Sequence, residues 1–90
     1  MILEIISPER IFFKGEIEML IVPGTKGRFT ILPKHAPIIS TLTKGDIIYV
    51  VGEKDHHLTI DSGFVEVHND EITVCVESIA KNEDTDNKSK

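Results

Sequence analysis

Cysteine is almost missing from this chain: Cys75 is the only one in 90 residues. No intrachain disulfide can form, so the fold must stand on its apolar core. A lone thiol fits a reducing compartment such as a cytoplasm. Tryptophan is absent, and the aromatic residues number five: Phe12, Phe13, Phe29, Tyr49 and Phe64. Basic residues are scarce too, ten against fifteen acidic, giving a net charge of −5. Nucleic-acid binding relies on clustered cations that displace counterions from phosphates, and no basic stretch is present. The longest apolar run, Ile47 to Val51, is five residues long. A membrane-spanning helix needs about 20. Met1-Ile2-Leu3-Glu4 has no basic segment and no cleavage site, so a signal peptide is not expected.

What is present is strand after short strand with turn residues between. Ile2 to Ile6 is apolar and β-branched, and Ser7-Pro8 ends it, because proline cannot donate to a ladder. Arg10 to Phe13 is a second run, closed by Lys14-Gly15. From Glu16 to Val22 the pattern alternates, with Ile17, Met19 and Ile21 on one face and Glu16 and Glu18 on the other. A period of two is the half-buried strand signal. Pro23 to Gly27 is a turn, Arg28 to Leu32 a strand, and Pro33 and Pro37 stiffen the loop around His35. Ile38 to Leu42 follows, and Ile47 to Val51 reads as buried on both faces or nearly so.

Leu58 and Ile60, then Val65 and Val67, alternate with polar residues across a break or bulge at Gly63. Asn69-Asp70 marks a tight hairpin, and Ile72, Val74 and Val76 return from it. Residues 81–90 contain no apolar side chain, so that stretch has nothing to bury against its ordering entropy. The expectation is an all-β sandwich or barrel of short strands over residues 1–80, with a disordered polar tail over 81–90.

No residue pattern here asks for catalysis. Gly24-Thr25-Lys26-Gly27 lacks the glycine spacing, the Lys-Ser/Thr pair and the following helix of a phosphate loop, so it is a hairpin turn. His56 and His57 are neighbours on a strand and point to opposite faces, so they cannot jointly hold a metal. Asp61-Ser62-Gly63 is not a nucleophile elbow, which needs Gly-x-Ser-x-Gly before a helix. Cys75 among valines reads as a buried, inert thiol. His35 differs. It sits in a stiff loop beside Ala36 and Pro37, and a stiff loop loses little entropy on docking. No catalytic, metal or cofactor site is expected.

Three segments in order and spacing resemble one family. They are Ile6-Ser7-Pro8-Glu9-Arg10 with Phe13-Lys14-Gly15-Glu16; Val22 through Pro37, containing Pro-Gly-Thr-Lys-Gly-Arg-Phe-Thr-Ile-Leu-Pro-Lys-His-Ala-Pro; and Ser62 to Val67 with Ile72-Thr73-Val74. Together they are similar to the epsilon subunit of F-type ATP synthases (the delta subunit of mitochondria), over about residues 2 to 80. The resemblance implies a flattened β-sandwich of about ten strands at the foot of a rotating central stalk. It implies a non-catalytic subunit that joins gamma to the c-ring, so that rotation driven by proton flow reaches the catalytic sites. By position, Gly27, Arg28, Phe29, Thr30 and Ile31 would meet the c-ring. Ser7, His35, Ala36, Pro37 and Ser40 would lie on the gamma side. The implied location is the cytoplasmic face of a bacterial plasma membrane, in the peripheral sector, with membrane contact only through the c-ring.

The sequence also departs from the family. Arg28 stands where an acid is usual, so a compensating acid on a ring loop is expected. Thr30 and Lys34 stand where glycines are usual, which restricts the backbone there. Most bacterial members continue into a pair of carboxy-terminal helices. Residues 81–90 offer no apolar helix face, so a short form that neither binds ATP nor switches off hydrolysis is expected. The rival reading is a small β-barrel module for an oligonucleotide or a small ligand. An oligonucleotide site would want exposed aromatics and a basic groove.

Overall fold

A computed structural model describes the backbone of residues 1–82 and the side chains of residues 1–77. The expectation of a disordered tail concerns residues 81–90, of which 83–90 lie outside the described residues. Eight strands form, and the described residues contain no helix: β1 (Ile2–Ile6), β2 (Ile11–Glu16), β3 (Met19–Gly24), β4 (Gly27–Ile31), β5 (Ile38–Leu42), β6 (Gly45–Val51), β7 (Lys54–His68) and β8 (Glu71–Asn82). The count is eight rather than about ten because β7 and β8 are long, at 15 and 12 residues. Each spans a length that two short strands would otherwise fill.

The strands make one sheet in the order β2-β1-β8-β7-β5-β3-β4, with β6 pairing β3 and β7. All pairs are antiparallel except β1 with β8. Strand β7 pairs β6 over Lys54–Ile60 and β5 over Gly63–Val67. Strand β3 pairs β6 at Met19–Ile21 and meets β5 at Gly24. These four strands close a circuit, so the sheet folds over a single core as a flattened sandwich. Leu3, Ile5, Leu20, Val22, Ile31, Ile47, Ile60, Val65 and Val74 are fully buried in that core. No polar or charged side chain among the described residues joins them.

Local chemistry explains where the strands stop. Asn69 and Asp70 take φ of 54° and 63° at the β7–β8 apex, the conformation that twists two strands correctly into a two-residue hairpin. Register shifts in the β7–β8 ladder fall at Thr59/Ile60, Ile60/Ser62 and Ser62/Gly63, so the bulge expected near Gly63 is present.

Two expected strand faces differ. Leu20 and Val22 are buried in β3, as are Pro23 and Gly24 at its end, while Met19 and Ile21 are half-buried on the outside. The alternation does not run through from Ile17, because the chain leaves strand geometry at Ile17-Glu18. The Ile17 amide bonds the Met1 carbonyl and the Glu18 amide bonds the Val50 carbonyl, both at 2.9 Å. That bend resets the phase, and Ile17 is buried by the bend itself. Strand β6 is not buried on both faces either. Ile47 points into the core, with Tyr49 and Val51 packed against it. Ile48 and Val50 face out, half-buried beside Ile21 and Met19, with which they pair in register.

Candidate functional site

The ten residues singled out by resemblance fall on two surfaces. Gly27 to Ile31 are β4, which closes the sheet at one end and pairs only with β3. Gly27 has φ of 129° and faces open space. Phe29 turns inward and its ring lies over Gly24, where an added Cβ would come within 2.8 Å of it. Ile31 is core. Only Arg28 and Thr30 project outward as exposed side chains. Thr30 pairs with Ile21 as an ordinary strand residue, so the loss of glycine there costs the backbone nothing. Arg28 donates from Nη1 to the Asp46 carbonyl at 3.2 Å. One of its five N–H donors is thereby held within the chain.

Lys34 is the other lost glycine, and it keeps the glycine conformation, with φ of 69°. Its amide donates to the Asp70 carboxylate at 2.9 Å, tying this loop to the β7–β8 apex. The left-handed region costs an L-residue about 1–2 kcal/mol, and glycine would return part of that as unfolded-state entropy. Lys34→Gly is therefore expected to stabilise by roughly 0.5–1 kcal/mol, and Lys34→Val to destabilise by about 1–2 kcal/mol. Urea unfolding of the two variants checks this; a stabilised valine variant would refute it.

His35 is half-buried rather than fully presented. Its amide donates to the Leu32 carbonyl at 3.1 Å, and its Nδ1 lies 2.7 Å from the Ala36 carbonyl oxygen. Ala36 and Pro37 are exposed. Ser7 lies in the β1–β2 turn, where its amide bonds the Arg10 carbonyl at 2.9 Å and its hydroxyl receives the Glu9 amide at 3.3 Å.

Register joins these two segments through a face that sequence reasoning missed. Ile6 pairs with Cys75, Cys75 with Phe64, and Phe64 with Thr41. That row crosses β1, β8, β7 and β5 on the side away from the core, a span of roughly 14 Å at the usual strand spacing. The next row is Glu4, Thr73, Glu66 and Ile39. Ile39 is 72% exposed and Phe64 37%. One end of this face holds a hollow around Ser7, and the other a second hollow beside Pro37 and His68. Ser7 and the His35–Pro37 loop thus flank one continuous outer face.

Ser40 does not join them. It pairs with Val65 on the core-side phase of β5, and together with Ile39 and Thr41 of the outer face it lines a groove shared with Gly27, Arg28 and Phe29. Thr25 and Thr41 close that groove with a 2.9 Å hydroxyl contact and a 3.1 Å backbone bond.

Cys75 is half-buried, not buried, because it takes the outward phase between Val74 and Val76. Burial pushes its thiol up from the ordinary value, and the carboxylates of Glu66 and Glu4 push the same way. The thiolate is the reactive form, so iodoacetamide should modify folded Cys75 more slowly at pH 8 than it modifies the urea-unfolded chain. A folded-state pKa that is raised gives a stabilisation complete below the unfolded thiol value and lost as pH rises through the folded one. Melting temperature should therefore fall more steeply above pH 8.5 in the wild type than in Cys75→Ala. Parallel pH profiles would contradict this.

His56 and His57 do diverge. The His56 ring stacks on Tyr49 with centroids 5.2 Å apart, and His57 Nδ1 lies 3.6 Å from Asp46. Among the described residues, no group of three or more His, Cys, Asp or Glu could hold a metal. Phe12, Phe13, Phe29 and Tyr49 pack against the core, which leaves Phe64 as the one aromatic side chain set outward among the described residues.

These features define a small, disulfide-free β-sandwich domain whose candidate sites are surfaces on its strands. Residues 1–82 match the family model for the ATP synthase delta/epsilon chain β-sandwich domain, and the chain belongs to that family. A protein of Leptospira interrogans (serogroup Icterohaemorrhagiae serovar copenhageni), named ATP synthase epsilon chain, is 45% identical over 82 residues, covering 91% of this chain. One of the same name from Nitratidesulfovibrio vulgaris (strain DP4) is 36% identical over 84 residues, 93% of this chain. This chain spans 65% and 63% of the lengths of those two relatives. Among solved structures, a chain of the Euglena gracilis mitochondrial ATP synthase OSCP/F1/c-ring assembly superposes with a TM-score of 0.77 at 18% identity, covering 82% of this chain and 48% of that one. A chain of the Tetrahymena thermophila mitochondrial ATP synthase central stalk and c-ring gives 0.75 at 14% identity, covering 98% and 71%. At these identities the likeness speaks to the fold.

Proposed function

We propose that this chain is a non-catalytic central-stalk subunit of a rotary F-type ATP synthase. It fastens the gamma subunit to the c-ring, so that ion-driven rotation is delivered to ATP synthesis. The observation that supports this best is the placement of two surfaces, carried on different strands, on one stiff body. Strand β4 lies at one end of the sheet, while the outer face between Ser7 and Pro37 crosses β1, β8, β7 and β5. A packed sandwich core resists shear and transmits load between such surfaces. In this reading β4, through Arg28 and Thr30, meets the c-ring, and the outer face meets gamma. The two epsilon-chain relatives named above are bacterial, which favours the cytoplasmic face of a bacterial plasma membrane. Membrane contact is indirect, through the c-ring.

The test is co-expression with the gamma subunit from the same source, followed by size-exclusion chromatography. The two proteins should co-elute as a one-to-one complex. Elution of the chain alone, with gamma soluble, would reject the reading.

A further inference from the structure

The outer face is apolar along its centre and acidic along its flanks. Ile11, 57% exposed, lies in register beside Ile6, and the row continues through Cys75 to Phe64. A hollow opens there, walled by Ile6, Ser7, Pro8, Phe64, Cys75 and Glu77, and most of its lining is apolar. Contiguous apolar surface of this kind on a soluble domain marks a contact site. The neighbouring row supplies Glu4 and Glu66 on either side of Thr73. Glu71 and Glu77 lie above and below on β8, the latter accepting a 3.1 Å bond from the Ser62 hydroxyl. No lysine or arginine occupies the outward positions of β1, of β5, of β7 from Ser62 to His68, or of β8 from Glu71 to Glu77. The nearest cation in register is Lys14, opposite Glu4 on β2.

Resting on the reading that gamma covers this face, we propose that the hollow receives an apolar side chain of gamma, presented by a segment flanked with lysine or arginine. The argument is complementarity of both kinds. A partner that filled the hollow but carried acids would bring like charges to Glu4 and Glu66, which costs affinity. A basic partner without an apolar anchor would leave Ile6, Phe64 and Ile39 facing water. Interfaces of this design draw most of their affinity from one or two buried anchors near the centre. The charged rim sets the rate of encounter and its dependence on salt. Cys75, on the hollow's wall, is a built-in reporter of occupancy.

The experiment uses the full chain and the gamma subunit from the same source. Alkylation of Cys75 by N-ethylmaleimide is followed with and without saturating gamma, and affinity is measured by titration at 50 and 500 mM salt. Gamma should slow alkylation at least fivefold. Phe64→Ala should weaken binding at least tenfold without loss of folding, since its side chain is outside the core. The pair Glu4→Gln with Glu66→Gln should weaken binding several-fold at 50 mM salt and flatten its salt dependence. A complex that forms with Cys75 unprotected and Phe64→Ala unaffected overturns this inference while leaving the stalk reading intact. Absence of any complex with the wild-type chain removes both. Slowing of alkylation in the isolated chain between 1 and 100 µM would assign the face to a second copy, and that too overturns the proposal.

Discussion

Gly63→Ala is expected to lower stability by about 3 kcal/mol and the melting temperature by roughly 15 °C. Gly63 is buried at the bulge of β7, where the ladder with β8 changes register three times within five residues. A Cβ built there would stand 2.4 Å from the Cys75 carbonyl oxygen and 3.3 Å from the Val76 Cα. Both obstacles are backbone, so no side-chain rotation relieves them. The strands must separate, and the β7–β8 pair that joins both layers of the sandwich loses hydrogen bonds at its centre. A domain of this size holds only about 4–12 kcal/mol in total, so one methyl group removes a large share. Differential scanning calorimetry or thermal circular dichroism reads the shift. A change under 3 °C would mean that the bulge is looser than its geometry shows.

The second large effect concerns β3. Leu20→Ala is expected to cost about 3 kcal/mol, because the side chain is fully buried and its neighbours belong to other strands of a closed circuit. Met19→Ala should cost about 1 kcal/mol or less, because Met19 faces outward and is half-buried. The comparison is sharper than either value alone. Simple alternation from Ile17 would invert the order, making Met19 the costly position. Urea unfolding of both variants decides it, and a Met19 loss exceeding the Leu20 loss would contradict the phase of β3 described above.

That strand shows where sequence legibility ended. The bounds of β1 and β5 and the Asn69-Asp70 apex follow from local chemistry, namely β-branched runs, a proline stop and residues that tolerate positive φ. The phase of β3 does not, because the bend at Ile17-Glu18 is held by bonds to Met1 and Val50, both remote in sequence. Burial of β6 was overstated for a related reason. A run of five apolar residues does not reveal that Ile48 and Val50 face out, between Ile21 and Met19 on β3 and His57 and Asp55 on β7. Strand number was overstated because continuity of β7 through its bulge depends on β8 running beside it.

The candidate surfaces were legible by family likeness more than by pattern. Composition and periodicity single out only the stiff His35 loop. Yet two signals in the alternation itself were available. Ser40 shares the phase of Ile38 and Leu42, which sets it apart from the outer face. Phe64 stands out of phase with Val65 and Val67, which marks a large aromatic ring turned away from the core. The joining of Ser7 to Pro37 across four strands was not available, because the parallel pairing of β1 with β8 is invisible to local sequence.

In the proposed function, one rigid sandwich bridges gamma and the c-ring through two of its surfaces. Sedimentation of the detergent-solubilised c-ring with gamma, in the presence and absence of this chain, tests it most directly. Gamma should travel with the ring far more completely when the chain is present, and wild-type chain should appear in the same fraction. Equal recovery of gamma with and without the chain would contradict the account.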